Sequence, residues 1–235
     1  MELKVHNNKQ EVAKQFSSFL VDKIETRKNL SIALSGGSTP KIVFDYLVGN
    51  FQYLDWSNVH LFWGDERCVP PDHEESNYKM TEDHLLNHIS IPEENIHRIK
   101  GEDDPEKEAT RYGSVLNVSL PKNKGVPQFD LVILGMGSDG HTASIFPHEI
   151  ELWDAQPNCA VAIHPDSGQR RVSLTGKVIN NAKEVAFLVT GEDKQEKVTE
   201  ILSKSEVSKN YPAALVNPES SKLYWFLDEA AHPSK

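Results

Sequence analysis

The hydrophobic positions along the chain follow two patterns, helical spacing and short continuous runs. Helical spacing predicts an amphipathic helix over about residues 8–28, with an apolar face formed by Val12, Phe16, Phe19, Leu20 and Ile24. Short apolar runs predict strands at 30–34, 59–63, 129–134, 185–189 and 223–227. Further helices are predicted from Thr39-Pro40 through Leu47 and at about 75–87, 104–120 and 192–203. This alternation predicts an α/β fold, a Rossmann-like three-layer domain with a mainly parallel sheet.

The size and charge of the chain limit the classes of function. Its 235 residues suit one large α/β domain, and because we find no repeat or linker, we expect a single domain over 1–235. The formal net charge of -10 argues against nucleic acid, which normally meets a basic protein face. A small anionic substrate remains compatible with this charge if arginines and lysines gather in a local pocket.

The cysteines and the apolar runs indicate a compartment. Cys68 and Cys159 lack the spacing of a zinc site, which favours a reducing environment. The polar first segment is not a signal peptide, and runs such as 131–134 are too short to span a bilayer. We therefore expect a cytoplasmic protein without a membrane partner. Independently of these features, we expect either a monomer or a weak homodimer.

Four loops follow the carboxyl ends of predicted strands, at 35–39, 64–67, 135–141 and 190–194. Each loop combines glycine with polar or charged residues. Open parallel sheets bind their ligands at this edge, so we expect the four loops to converge on one site.

The first of these loops has the composition of an anion site. Gly36, Gly37 and Ser38 allow backbone N–H groups to approach a phosphate at the start of a helix. The loop lacks the lysine of a nucleotide P-loop. The alternative is a tight strand-to-helix turn with a capping hydroxyl.

The loop at 135–140 admits two chemical interpretations. The segment GMGSDG matches G-x-G-x-x-G, which favours an NAD-dependent oxidoreductase, but Pro147 leaves little room for the helix that this motif needs. His141 follows immediately, and a histidine can act as a general base with Asp139 fixing its tautomer. A purely structural loop histidine remains the third possibility.

Cations near these loops could form the basic pocket that an anionic substrate requires. They are Arg67, Arg170, Arg171 and Lys194. Each alone is typical of a solvated surface charge, whereas arginine in a cleft suits oxyanions and phosphates because its planar fork is always charged.

These segments, in this order, resemble the 6-phosphogluconolactonase family. The resemblance rests on LSGGSTP (34–40), FWGDERCVP (62–70), SNY (76–78), LGMGSDGHTASIFP (134–147), RVSLT (171–175) and VTGEDK (189–194). YPAALV (211–216) and YWFLDEAA (224–231) are similar to the family's last segments, and His148 stands where the family often has glycine.

The glucosamine-6-phosphate deaminases of the same superfamily are the nearest alternative. They carry D-E-Y where this chain has Asp65-Glu66-Arg67, and F-N-E-P where it has SIFP at 144–147. The acid that ring opening needs is therefore missing, which favours the lactonase. A non-catalytic sugar-phosphate-binding protein is a further alternative.

The resemblance implies hydrolysis of 6-phospho-D-glucono-1,5-lactone, a phosphorylated sugar lactone, in the oxidative pentose phosphate pathway, without metal or organic cofactor. It implies that His141 activates water, that Asp139 orients His141 or the water, and that Arg67 stabilises the oxyanion or holds the sugar. It further implies that the phosphate is held by Gly36, Gly37, Ser38, Arg171 and Lys194, with Arg170 as the weaker alternative to Arg171.

Overall fold

The computed structural model describes residues 1–233 and contains twelve strands and six α-helices in that range. The strands are β1 Glu2–His6, β2 Leu30–Leu34, β3 Val59–Trp63, β4 Asp65–Arg67, β5 Ile96–His97, β6 Lys122–Asn123, β7 Val126–Pro127, β8 Leu131–Leu134, β9 Cys159–Ile163, β10 Arg170–Leu174, β11 Val185–Val189 and β12 Leu223–Asp228. The helices are α1 Lys9–Thr26, α2 Ser38–Asn50, α3 Asn77–His84, α4 Pro105–Ser119, α5 Gly176–Asn181 and α6 Gln195–Leu202.

Seven strands form one parallel sheet in the order β1-β12-β11-β8-β2-β3-β5. Every residue of β2, β8 and β11 is buried, as expected for central parallel strands that are covered on both faces. The predicted α/β fold with a mainly parallel sheet and flanking helices is confirmed. Within residues 1–233, no helix has both the length and the apolar character needed to cross a bilayer.

The structure adds elements that the hydrophobic pattern did not predict. Residues 2–6 form the edge strand β1, where alternate polar residues hide the strand pattern. A second, antiparallel sheet has the order β4-β10-β9. Its strand β4 begins two residues after β3 ends, so this small sheet stands at the carboxyl edge of the parallel one. The pairing register of its strands determines which side chains enter the site.

The order of the strands creates a crevice between β2 and β8. From β2 the chain proceeds outward to β3 and β5, and it then returns to β8, on the other side of β2, before continuing outward to β11 and β12. The loops after β2 and β8 therefore leave the sheet in opposite directions. In open α/β sheets such a switch point is where ligands bind.

A polar contact at the opposite edge fixes the register of β2 against β8. The carboxylate of Asp130 accepts hydrogen bonds from the Ser31 backbone N–H and from the Ser31 hydroxyl, both at 2.9 Å. The Asp130 backbone N–H donates in return to the Ser31 hydroxyl at 3.0 Å. Burial opposes ionisation of Asp130, but the Lys183 ammonium and these donors outweigh it and lower the pKa of the carboxyl. The two strands that carry the glycine loops are thus held in one alignment.

Candidate active site

A cavity of about 180 Å³ lies at the carboxyl edge of the sheet, over the crevice between β2 and β8. It draws its walls from three of the four predicted loops and from the small sheet. The lining residues are Ser35, Gly36, Gly37, Asp65, Arg67, Asn77, Gly135, Met136, Gly137, His141, Ala143 and Arg171. The structure therefore brings together five of the predicted site residues, which are His141, Arg67, Arg171, Gly36 and Gly37.

His141 is held in one orientation by Asp139. The Oδ1 atom of Asp139 lies 2.6 Å from Nδ1 of the His141 ring and 3.0 Å from the His141 backbone N–H. Burial disfavours the charged form of Asp139, but the hydrogen bond and charge of His141 outweigh it and lower the pKa of Asp139 to about 2. Because an ionised carboxylate only accepts, Nδ1 of His141 is the donor in this contact, and in the neutral ring Nε2 is then the proton acceptor.

The loop that carries this pair is compact because of Gly137. Its N–H donates to the His141 carbonyl at 2.9 Å, which closes the loop on itself. A Cβ atom at residue 137 would lie 2.1 Å from Nδ1 of His141 and 2.5 Å from Oδ1 of Asp139. A side chain at this position and the Asp139–His141 contact therefore exclude one another.

The rings of His141 and Phe146 pack together at a centroid distance of 4.7 Å. Phe146 is fully buried, and the guanidinium of Arg171 lies 5.6 Å from the centroid of the same ring. One apolar side chain thus contacts both the candidate base and a candidate anion-binding group. Position 146 therefore carries a phenyl ring and no carboxyl group.

Arg67 and Arg171 are direct cross-strand partners, in β4 and β10. Both side chains line the cavity, and the two like charges repel. Burial and the neighbouring Arg67 charge lower the pKa of the Arg171 guanidinium. The Nε atom of Arg67 is buried without a hydrogen-bond partner. An anion between the two arginines would relieve the repulsion.

Asp65 is a site residue that the sequence analysis did not select. It is 6% exposed and lines the cavity, and its Oδ2 accepts from the Ser144 hydroxyl at 2.6 Å. The Ser144 backbone N–H donates to the Ser173 hydroxyl at 3.1 Å. This buried contact fastens the segment after His141 to the small sheet. Both acids beside Arg67, Asp65 and Glu66, are buried, and only their tertiary contacts show this.

Asn77 is the second such residue, and it lies in the SNY segment of the resemblance. Its side-chain amide donates to the Asp65 carbonyl at 2.9 Å. A Cβ atom at residue 36 would lie 1.8 Å from Oδ1 of Asn77. The close approach of Asn77 therefore requires glycine at this position. Asn77 thereby joins the loop after β3 to the loop after β2.

The glycine loop at 35–39 lies only in part against the cavity. Gly36 and Gly37 line it, whereas Ser38 is exposed at the start of α2. Gly37 has φ of +106°, a conformation that other residues rarely adopt. No side chain in the described chain caps the first turn of α2, so its N–H groups are open to an anion.

The two remaining cations lie outside this cavity. Lys194 contacts its neighbour Asp193 at 2.9 Å. Its loop is joined to the start of α2 by a hydrogen bond of 2.8 Å between Thr39 and Thr190. Arg170 points to the opposite face of β10 from Arg171 and pairs with Glu106. The geometry thus favours Arg171 over Arg170, and the role of Lys194 stays a prediction.

The structure also bears on the dinucleotide interpretation of 135–140. After this loop the chain forms a turn and then a 3₁₀ segment, Pro147–Asp154, and no α-helix begins between β8 and β9. The motif therefore lacks the helix N-terminus that binds a pyrophosphate. Among residues 1–233, no three His, Cys, Asp or Glu side chains are grouped so that they could hold a metal ion.

Comparisons with known proteins agree on one family. Residues 6–225 match the family model described as glucosamine-6-phosphate isomerases/6-phosphogluconolactonase. The chain is 47% identical over 203 residues to a 6-phosphogluconolactonase of Treponema pallidum, covering 84% of each chain. A solved structure of the devB protein superimposes with a TM-score of 0.94 at 39% identity, covering 98% of this chain and 97% of that one. The 6-phosphogluconolactonase from Trypanosoma brucei gives 0.85 at 31% identity, covering 98% and 97%.

The contact between Asp139 and His141 should be sensitive to the residue at 137. In Gly137→Ala the new methyl group takes the space of Nδ1, so we expect the hydrogen bond to break while the side chains move into the cavity. The ¹⁵N shifts of the His141 ring should then lose the signature of a single Nδ1-protonated tautomer. The free energy of unfolding should fall by only about 1 kcal/mol, because two side-chain ends give way rather than backbone.

Gly49→Ala is the matched control, because a Cβ at this position in α2 meets nothing within 4 Å. It should leave the His141 spectrum unchanged. Unaltered His141 signals in Gly137→Ala would show that the tight loop does not hold the pair.

Proposed function

This chain belongs to the glucosamine-6-phosphate isomerase/6-phosphogluconolactonase family, and we infer that it hydrolyses 6-phospho-D-glucono-1,5-lactone to 6-phospho-D-gluconate. This reaction is the lactone-opening step of the oxidative pentose phosphate pathway. The observation that carries the chemistry is the Asp139–His141 hydrogen bond beside a cavity lined by two arginines. A proton acceptor and a cationic wall in one small cavity are what ester hydrolysis of an anionic substrate requires.

In the proposed mechanism, Nε2 of His141 removes a proton from water as the water oxygen attacks the lactone carbonyl. The tetrahedral intermediate then collapses, the bond from the carbonyl carbon to the ring oxygen breaks, and the imidazolium returns its proton to that oxygen. Asp139 stays ionised and stabilises the imidazolium that forms in between. A positioned base of this kind contributes roughly 10²–10⁴-fold to the rate.

We propose positions for the substrate's two ends from the charges around the cavity. Arg171 and the amides of Gly36 and Gly37, at the open start of α2, hold the phosphate. Arg67, whose side chain lines the cavity, stabilises the developing oxyanion or holds the sugar. Ser38 and Lys194 keep their proposed place in the phosphate site, supported by the hydrogen bond that joins their loops.

The position of Phe146 supports the lactonase over the deaminase. The F-N-E-P pattern of the deaminases would place its glutamate here, and this chain instead has a buried phenyl ring against His141. Ring opening of an amino sugar needs that acid, whereas hydrolysis of a lactone does not. The nearby carboxylate of Asp65 accepts from Ser144 and does not replace it.

Some predictions made together with this function are not tested by the structure. A single domain over 1–235, a cytoplasmic location, the monomer or weak homodimer and the lack of a cofactor stay predictions. The free thiols of Cys68 and Cys159 support a reducing compartment. One connected hydrophobic core, which includes α1, the parallel sheet and the small sheet, supports the single domain.

The function is tested by acid release from freshly prepared 6-phosphoglucono-1,5-lactone, after subtraction of the spontaneous rate. We expect saturable acceleration that EDTA leaves unchanged, since the proposed steps use only protein groups and water. Ammonia release from glucosamine 6-phosphate would support the deaminase instead. Binding of the lactone without turnover would support a sugar-phosphate-binding protein, and loss of activity with EDTA would contradict the metal-free mechanism.

The phosphate assignment predicts a selective defect in Arg171→Ala. The lost charge-assisted hydrogen bond is worth about 1.5–3 kcal/mol, so KM for the phosphorylated lactone should rise roughly 10- to 150-fold. KM for unphosphorylated gluconolactone should change little. Arg170→Ala is the matched control, because it removes a neighbouring arginine on the opposite face of β10. Equal weakening of both lactones in Arg171→Ala would refute the assignment.

A further inference from the structure

The segment YPAALV, at 211–216, lies directly behind the loop that carries His141. A Cβ at Gly140 would lie 2.6 Å from Cγ of Tyr211, so the tyrosine side chain packs on the Gly140 backbone without a gap. The Ala213 backbone N–H donates to the Gly140 carbonyl at 3.0 Å. Gly140 is the residue between Asp139 and His141. This segment therefore contacts the one residue that links the two members of the pair.

The contact with residues 211–216 restricts the backbone conformation of Gly140. Its φ is +87°, and its N–H donates to the Gly137 carbonyl at 3.1 Å. Glycine explores many conformations, so nothing intrinsic to residue 140 keeps it in this one. A packed ring on one side and a hydrogen bond to its carbonyl remove that freedom. The relative positions of Asp139 and His141 depend on the same dihedral angles.

Tyr211 is itself fixed from the other side. Its hydroxyl donates to Oε2 of Glu200 in α6 at 2.7 Å, and Nζ of Lys197 lies 4.9 Å from the centroid of its ring. Tyr211 is only 7% exposed. The hydrogen bond from Tyr211 lowers the pKa of the Glu200 carboxyl, which favours the ionised acceptor. The ring therefore presents a rigid surface to Gly140.

The following residues are fastened to a second element. The Leu215 carbonyl accepts from the side-chain amide of Asn180, in α5, at 3.1 Å. The Asn180 Oδ1 accepts from the Asn217 backbone N–H at 2.8 Å. Residues 211–217 are thus held between α6 and α5, with Gly140 against their first turn.

We propose that Tyr211 is a positioning residue for hydrolysis: it locks the Gly140 peptide and so keeps Asp139 and His141 in hydrogen-bonding register. This inference rests on the proposed function, in which His141 is the base. Tyr211 does not line the cavity, so it acts on the rate through Gly140 and not through contact with substrate.

The test compares Tyr211→Leu with Tyr211→Phe and Trp153→Leu. Trp153 covers Gly176 in the way that Tyr211 covers Gly140, with an ideal Cβ 2.3 Å from its ring, and it is similarly buried. In Tyr211→Leu we expect kcat to fall tenfold or more with KM within about threefold, since small misplacements of catalytic groups reduce rates by up to roughly 10²-fold. Tyr211→Phe loses the hydrogen bond to Glu200 but keeps the ring that packs on Gly140, so kcat should stay within about threefold of that of the unaltered protein.

The ¹⁵N shifts of the His141 ring distinguish positioning from general stabilisation. A merely structural role of Tyr211 would leave these shifts unchanged. In Tyr211→Leu they should change from one Nδ1-protonated tautomer to a mixture, whereas in Trp153→Leu they should not change. Should Tyr211→Leu fail to fold, Tyr211→Met keeps a flexible apolar side chain at this position, with the same split expected.

Two results would overturn the proposal. One is an equal loss of kcat in Tyr211→Leu and Trp153→Leu, which would reflect general destabilisation. The other is an unchanged kcat and His141 spectrum in Tyr211→Leu. Both are distinct from failure of the proposed function, in which the unaltered protein would not accelerate lactone hydrolysis at all.

Discussion

The hydrogen bond between Nδ1 of His141 and Asp139 depends on a backbone that turns back on itself within five residues. Gly137 leaves the volume in which the imidazole and the carboxylate meet, and its N–H binds the carbonyl of His141. Gly140 takes a positive φ between the two partners. Glycines lose more conformational entropy on folding than other residues, so this loop is costly to order. The fully buried strand β8 before it and the packed segment behind it offset that cost.

The position of the same loop in the sheet determines which other groups lie near His141. Because β8 lies beside β2, the histidine loop and the glycine loop open over one crevice, and the Asp130–Ser31 contact keeps those strands aligned. The small antiparallel sheet then adds two arginines from the side. A protein with net charge -10 thus contains a local cationic wall. Such a pocket favours a small anion that can enter it, while the acidic surroundings disfavour an extended polyanion.

The sequence was sufficient for the parallel sheet because short apolar runs such as 131–134 and 185–189 alternate with segments of helical spacing and are followed closely by glycine. It also located His141 and the glycine loop, since both follow strand ends. It could not place Arg67 opposite Arg171, because that pairing depends on the register of strands far apart in the chain. It could not show that Asp65 is buried, since the partner hydroxyl comes from Ser144. Lys194 had an equally suitable pattern, yet its side chain contacts Asp193.

In the proposed mechanism, everything depends on His141 as the base that activates water for lactone hydrolysis. The most direct measurement is acid release from 6-phosphoglucono-1,5-lactone by His141→Ala, compared with the unaltered protein at saturating substrate. We predict that kcat falls by roughly 10²–10⁴-fold, the contribution of a positioned base, while KM changes little because the phosphate contacts remain. An unchanged kcat in a folded His141→Ala protein would contradict the account.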